Sequence, residues 1–79
     1  MVKVLINTET NVVLFRRMNK AVVDKYTVKQ GKVPNMVEHI KNFELMHGIR
    51  ITIAPSGHFW EAMVFPSKAA YTMALLKWS

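Results

Sequence analysis

Apolar residues occupy every second position at the start of the chain, from Val2 to Ile6. This alternation is typical of a β-strand. A polar cluster at 8–11 indicates a turn, and a second apolar run follows at 12–15. The pattern therefore predicts a β-hairpin over residues 2–17. The length of its turn, which decides which side chains share a face, stays open.

Residues 22–28 continue the alternation, with Val22, Tyr26 and Val28 as apolar members. The pattern predicts a third strand in this segment. A short helix fits the same stretch, and the sequence leaves both alternatives open. The polar residues 30–32 then form a loop.

Apolar residues recur every three or four positions between Pro34 and Met46, which predicts an amphipathic helix. Pro34 suits the first turn of this helix, and Gly48 supplies the left-handed residue that commonly ends one. The apolar stripe of the helix comprises Met36, Val37, Ile40, Phe43 and Met46.

Residues 49–53 and 59–65 predict the two strands of a second hairpin, joined by a loop at 55–58. A four-residue loop would place only apolar residues opposite one another on one face, which is therefore the expected core face. The paired residues on that face are Ile53 with Trp60, Ile51 with Ala62, and Ile49 with Val64. The opposite face would carry Arg50, Phe59, Met63 and Phe65.

Ser67 is a natural N-cap for a final helix over residues 68–78. The residues of this helix that we expect to face the sheet are Ala69, Met73 and Leu76. Together the elements predict one compact α+β domain over residues 1–79, built on a small antiparallel sheet. The expected order is ββ(β)αββα, with two helices packed mainly on one face of the sheet.

The chain has 79 residues, of which 51% are hydrophobic, and it contains no cysteine. A hydrophobic core must therefore provide the stability, without a disulfide or a thiolate metal site. The longest apolar run, at 69–76, is shorter than the ~18–20 residues that a membrane span needs. We expect a cytoplasmic protein with no metal, no small-molecule cofactor and no membrane contact.

Positive charge is concentrated in the first part of the chain. Residues 1–32 hold seven basic and two acidic side chains, a net charge of +5 out of +6 for the whole chain. Such asymmetry indicates an anionic partner, and nucleic acid is the leading candidate. The expected phosphate contacts are Arg16, Arg17, Lys20, Lys25, Lys29 and Lys32. The alternative is a solvated basic surface that only maintains solubility.

The expected outer face of the second hairpin suggests a different partner. A sheet seldom exposes three large apolar side chains such as Phe59, Met63 and Phe65 unless something covers them. With Arg50 they would form a docking surface for another protein, or for a second copy of the chain in a homodimer. The alternative is that a helix of the same domain covers them.

Few side chains suit catalysis. One Asp and four Glu form no obvious acid–base pair, and a hydrolase would need more. Glu44 and His47 have the Glu-x-x-His spacing of di-iron bundles, but such a site needs a second copy of the motif. We interpret them as solvated residues in the last helical turn. We therefore predict a non-enzymatic binding or regulatory protein.

Ser56, Gly57 and His58 form a short polar motif after a predicted helix and strand. In this respect residues 35–79 resemble the HicA family of small basic ribonuclease toxins, although the family signature reads Gly-Ser-His. The resemblance implies a double-stranded-RNA-binding-like fold and a ribonuclease in which His58 is the general base. The same residues also make a good hairpin turn, which is the interpretation we favour.

The last fifteen residues, 65–79, are similar to the ends of small tailed-phage proteins, as are the compact size and the methionine-rich composition. This resemblance implies a phage-encoded accessory protein that works in the host cytoplasm. Its partner would then be nucleic acid or a host or phage protein.

Overall fold

The computed structural model describes residues 1–30, 35–57 and 59–78, with the side chains of 27–30 outside the description. The described part of the chain forms three strands and three helices. In chain order they are β1 (Val2–Leu5), α1 (Glu9–Gln30), α2 (Met36–His47), β2 (Arg50–Ile53), β3 (Trp60–Phe65) and α3 (Lys68–Trp78).

The strands form one antiparallel sheet in the order β1-β3-β2. The central strand is β3, and its Met63 lies between Val4 of β1 and Ile51 of β2. Because both outer strands run antiparallel to β3, β1 and β2 point in the same direction. The two helices that connect them lead the chain from one edge of the sheet to the other.

All three helices pack on the face of the sheet that carries Val4, Ile51, Met63 and Phe65. The buried core that they share with the sheet also includes Leu14, Phe15, Met18, Val22, Phe43 and Ile49. The predicted α+β class, with an antiparallel sheet covered by helices, is confirmed, and so is the order αββα in the second half. The other face of the sheet carries exposed side chains at Lys3, Leu5 and Arg50 and half-buried ones at Thr52 and Val64.

The prediction of strands at 12–17 and 22–28 is wrong, because α1 runs from Glu9 to Gln30 without a break. Leu14, Met18 and Val22 lie four residues apart and form the buried stripe of this helix. Valine is common in strands, and the valines beside this stripe produced the strand-like pattern in the sequence. The alternative of a helix over residues 22–28 is confirmed, although that helix is part of the longer α1.

The polar cluster at 8–11 is the start of α1 rather than a hairpin turn. The Thr8 hydroxyl accepts a hydrogen bond from the Asn11 N–H (3.3 Å), and the Thr8 carbonyl accepts one from the Val12 N–H (2.9 Å). Thr and Asn side chains bond equally well to the backbone of a turn and to that of a helix N-terminus. The same residues therefore fit both structures.

The helix α2 is confirmed, with a cap at each end. The Asn35 side chain accepts a hydrogen bond from the Glu38 N–H and donates one to the Glu38 carboxylate, both over 2.9 Å. At the other end Gly48 adopts a left-handed conformation (φ 72°) and donates its N–H to the Glu44 carbonyl (2.8 Å). Pro34, the predicted first residue, lies outside the described residues.

The second hairpin begins in the predicted register and then departs from it. Ala54 donates its N–H to the Phe59 carbonyl (2.9 Å), and Ile53 lies opposite Trp60 as expected. Beyond this pair the register shifts by one, because Glu61 has no partner on β2 and forms a β-bulge. Ile51 therefore lies opposite Met63 instead of Ala62.

The bulge reverses the predicted faces of the rest of β3. Met63 and Phe65 are 0% and 1% exposed and belong to the core, whereas they were expected on the outer face. A strand side-chain pattern has a period of two, so one extra residue moves every following side chain to the other face. The alternative in which helices of the same domain cover these two residues is confirmed.

The helix α3 starts where predicted but is rotated about its axis. The Ser67 hydroxyl accepts a hydrogen bond from the Ala70 N–H (3.1 Å), as an N-cap does. The prediction that Ala69, Met73 and Leu76 face the sheet is wrong, because all three are exposed. The α3 residues that pack against the core are Ala70, Tyr71, Ala74, Leu75 and Trp78. Apolar residues surround α3 on all sides, so its sequence pattern does not select a face.

Candidate nucleic-acid interface

Three of the predicted cationic residues lie together on the solvent side of α1. Arg16, Arg17 and Lys20 are all exposed. A helix turns by about 100° and rises about 1.5 Å per residue, so these side chains leave α1 within a sector of roughly 100° and a rise of ~6 Å. We call these three residues the α1 basic stripe.

The buried side of α1 fixes the direction in which the basic stripe points. Leu14 and Val22 are fully buried, and the Phe15 ring stacks on the Phe43 ring of α2 with centroids 5.9 Å apart. Burial of these apolar side chains is the main force that orients an amphipathic helix. The stripe therefore faces solvent as a consequence of core packing.

The members of the basic stripe differ in their local contacts. Arg17 donates a hydrogen bond from its guanidinium to the carbonyl of Trp78 at the end of α3 (3.1 Å). Lys20 forms an ion pair with Asp24 one turn further along α1 (2.9 Å). The hydrogen bond and the charge of Asp24 raise the pKa of Lys20, so its ammonium group stays protonated. Arg16 has no ion pair or hydrogen bond among the described residues.

The remaining predicted phosphate contacts do not join this stripe. Lys25 is exposed but leaves α1 in another direction, and its ammonium group lies 5.5 Å from the centre of the Tyr26 ring. The backbone of Lys29 belongs to α1, whereas its side chain lies outside the described residues. Lys32 lies outside the described residues altogether.

One further exposed cation, in the last turn of α3, was not among the predicted phosphate contacts. Lys77, in the last turn of α3, places its ammonium group 5.3 Å from the centre of the Trp78 ring. Arg17 reaches the carbonyl of the same Trp78. The packing of α3 beside α1 brings Arg17 to Trp78 across 61 positions of sequence, and no local signal in the sequence predicts this contact.

The four residues of the predicted docking surface do not form one surface. Arg50 is exposed and lies 3.8 Å from the Glu44 carboxylate, and Phe59 is 63% exposed. Met63 and Phe65 are buried on the opposite side of the sheet from Arg50. The predicted grouping of these residues is therefore wrong.

The two other motifs of the second half are Ser56-Gly57-His58 and the pair of Glu44 and His47. Gly57 adopts φ 77° in the hairpin loop and donates its N–H to the Ala54 carbonyl (2.8 Å), while His58 lies outside the described residues. Glu44 and His47 do not act as a pair: Glu44 faces Arg50, and His47 bonds to the Met18 carbonyl (2.9 Å).

Two half-buried histidines of α2 lie against α1, a role that the sequence did not reveal. His39 Nε2 bonds to the Asn19 side-chain oxygen (2.6 Å), as His47 Nε2 does to the Met18 carbonyl. Burial lowers the pKa of both residues. At His47 the hydrogen bond to the Met18 carbonyl opposes this shift, and the positive charge of Lys77 adds to it. Both rings are therefore neutral near pH 7 and serve as polar contacts between the helices.

Within the described residues, no group of three or more His, Asp or Glu side chains is placed to hold a metal ion. No helix in the same part of the chain is long and apolar enough to cross a membrane. Comparison of the chain with protein-family models, with curated proteins and with solved structures finds no match.

Proposed function

We propose that this protein binds the phosphate backbone of nucleic acid through the α1 basic stripe, without catalysing a reaction. The observation that carries the proposal is the exposure of Arg16, Arg17 and Lys20 on one face of a helix whose other face is locked into the core. Phosphate contacts made by Lys and Arg supply most of the affinity of non-specific binding.

The placement of the acidic residues supports an anionic ligand at this face. Glu38 is held by the cap of α2, Glu44 lies beside Arg50, and Glu61 pairs with Lys3 (3.3 Å). On the exposed side of α1, Asp24 pairs with Lys20 and Glu9 lies two turns before Arg16, which leaves an excess of positive charge on this side. The net charge of +6 would attract a polyanion from a distance and direct it to this face.

The side chains beside the stripe favour contacts to phosphate over contacts to base edges. Reading of adenine edges commonly uses Asn or Gln in bidentate contacts, whereas Arg binds phosphates as well as guanine edges. Between Glu9 and Tyr26 the amide side chains are Asn11, which is buried, and Asn19, which is engaged with His39. We therefore expect binding with little sequence preference.

The test is fluorescence-polarisation binding to a 20-base-pair DNA duplex and a 20-nucleotide RNA at several salt concentrations. We expect affinity to fall steeply with salt, because phosphate binding releases counterions. The substitutions Arg16→Gln and Lys20→Gln should each lower the log–log salt slope by about 0.7–0.9. Arg17 is left unchanged because it also holds the end of α3.

The matched controls are Lys41→Gln and Lys68→Gln, which remove the same charge from exposed positions on α2 and α3. They should leave the salt slope within error of the wild-type value. Binding that is insensitive to salt, or equal losses for the stripe and control variants, would refute a specific role for α1.

A further inference from the structure

The outer side of α3 presents an apolar surface to solvent. Met73 and Leu76 are 65% and 78% exposed, and Ala69 lies on the same side of the helix. These positions follow the spacing i, i+4, i+7, which places them in one stripe along the helix. A stripe of this kind resembles one half of a helix–helix contact.

An open groove of about 290 Å³ adjoins this stripe, between α3 and the end of α2. Met73 forms part of both surfaces, and Met46 and Met18 also line the groove. Methionine side chains are flexible and polarizable, so a groove that they line can adapt to apolar side chains of different shape. The groove is also lined by His47, Lys77 and Trp78.

The charges around these surfaces have one sign. Lys68 begins α3 and Lys77 lies in its last turn, and the helix contains no acidic residue. The described residues that line the groove likewise include no carboxylate. Four of the five acidic residues of the chain are engaged elsewhere, in the contacts of Asp24, Glu38, Glu44 and Glu61.

We propose that the outer stripe of α3 and the adjoining groove dock an amphipathic helix of a partner protein, with acidic residues flanking its apolar stripe. The apolar side chains of the partner would pack on Met73 and Leu76 and enter the groove. Its acidic side chains would meet Lys68 and Lys77. This is the helix-in-groove mode of peptide recognition, in which anchors at i, i+3, i+4 and i+7 fill an apolar groove.

Charge argues against a second copy of the chain as the occupant. If two α3 helices packed parallel, each lysine would lie near its own equivalent. If they packed antiparallel, Lys68 of one copy would lie near Lys77 of the other. Both arrangements oppose like charges, which disfavours a pairing. A partner with acidic flanks removes this repulsion.

The length of α3 limits the size of the partner element. Eleven residues at about 1.5 Å each give a helix of roughly 16 Å, or three turns. A contact of three turns is small for a permanent complex, so we expect a reversible interaction. Lysines at the two ends would set the position of the partner along the stripe.

The probe is a synthetic 14-residue helical peptide with Leu at a, d and e positions and Glu at the flanking positions, titrated into the protein by isothermal calorimetry. We expect saturable binding with a dissociation constant on the order of 10–100 μM. Met73→Glu or Leu76→Glu should weaken binding about tenfold or more, because each removes an anchor and adds a repelling charge. A peptide with Lys in place of every Glu should not bind.

Leu45→Glu is the matched control, since Leu45 is an equally exposed leucine on the outer side of α2 (72%) and does not line the groove. It should leave peptide affinity unchanged. Circular dichroism would show that all variants keep their helical content. Equal binding of the Lys peptide, no binding of the Glu peptide up to about 1 mM, or an unaffected Met73→Glu variant would each overturn the proposal.

Two further measurements distinguish a partner helix from other possible occupants of the α3 surface. A wild-type dimer in sedimentation that Met73→Glu dissolves would identify a second copy as the occupant and overturn the proposal. The proposal predicts that Met73→Glu and Leu45→Glu change nucleic-acid affinity equally, since both add one negative charge away from the α1 basic stripe. A selective loss in Met73→Glu would assign the α3 surface to nucleic acid instead.

Discussion

The hydroxyl of Tyr71 donates a hydrogen bond to the Asn11 side-chain oxygen over 2.6 Å, and the Asn11 amide nitrogen donates to the Leu5 carbonyl over 2.9 Å. One buried amide thus joins the end of β1, the first turn of α1 and the first turn of α3. Buried polar groups whose bonds are all satisfied favour one arrangement of the elements around them. The position of α3 on the core depends on this link.

Removing either partner of the link should destabilise the protein. Tyr71→Phe leaves the Asn11 oxygen without this donor and should cost about 1–2 kcal/mol. Asn11→Ala should cost more, roughly 2–3 kcal/mol, because it leaves both the Tyr71 hydroxyl and the Leu5 carbonyl without their partner. Urea denaturation followed by circular dichroism measures both values.

Thr72→Val, which alters an exposed hydroxyl on the same helix, is the control and should change stability by less than about 0.5 kcal/mol. Equal stability of Tyr71→Phe and the wild type would contradict this account.

Acidic conditions should destabilise the contact between α1 and α2. Burial lowers the pKa of His39 and His47 below the ordinary value of 6.5, so the unfolded chain binds protons more readily than the folded protein does. Stability is therefore fully present above pH 6.5 and decreases as the pH falls from there towards the lowered pKa values of the folded state. Most carboxylates titrate below this range.

Urea denaturation at about pH 7.5 and pH 5.5 would measure this effect, since ordinary histidines change charge across this interval. The double variant His39→Gln and His47→Gln keeps a hydrogen-bond donor at each position and removes the titration. Its stability should vary much less between the two pH values. A wild-type protein as stable at the lower pH as at the higher one would show that these histidines accept a proton without cost.

The Lys20–Asp24 ion pair makes a distinct prediction about nucleic-acid affinity. Asp24→Asn removes a negative charge that repels phosphate and releases Lys20 from its partner. Affinity for the DNA duplex should therefore rise by a few-fold at low salt, and the gain should shrink as salt screens the charges. Glu38→Gln removes the same charge from α2 and should raise affinity less. An unchanged or lower affinity for Asp24→Asn would place the ligand away from α1.

Local signals in the sequence predicted the second half of the fold better than the first. Gly48 marks the end of α2 and Ser67 caps α3, and both act through bonds to near neighbours. In α1, by contrast, Val12 and Val13 suit a strand by their side-chain shape, and only the burial of Leu14 and Met18 shows which periodicity prevails. That burial depends on the rest of the fold.

The candidate sites were predictable only where a single helix carries them. Arg16, Arg17 and Lys20 are grouped by the helix α1. A strand would point Arg16 and Arg17 to opposite faces and place Lys20 about 13 Å from Arg16. The burial of Met63 could not be predicted, because it depends on the bulge at Glu61, and a bulge leaves no mark in the hydrophobic pattern. The contact of Arg17 with the Trp78 carbonyl results from the packing of α3 beside α1.

Arg17 belongs to two surfaces at once, because its guanidinium lies in the α1 basic stripe and holds the terminal carbonyl of α3. A phosphate that binds this guanidinium would remove the donor from the Trp78 carbonyl. The last turn of α3 would then be less well held. Thermodynamic linkage then makes the effect reciprocal: whatever orders the end of α3 alters the affinity of α1 for phosphate by the same factor. Through this one side chain, phosphate binding at α1 would change the order at the end of α3, and the reverse would also hold.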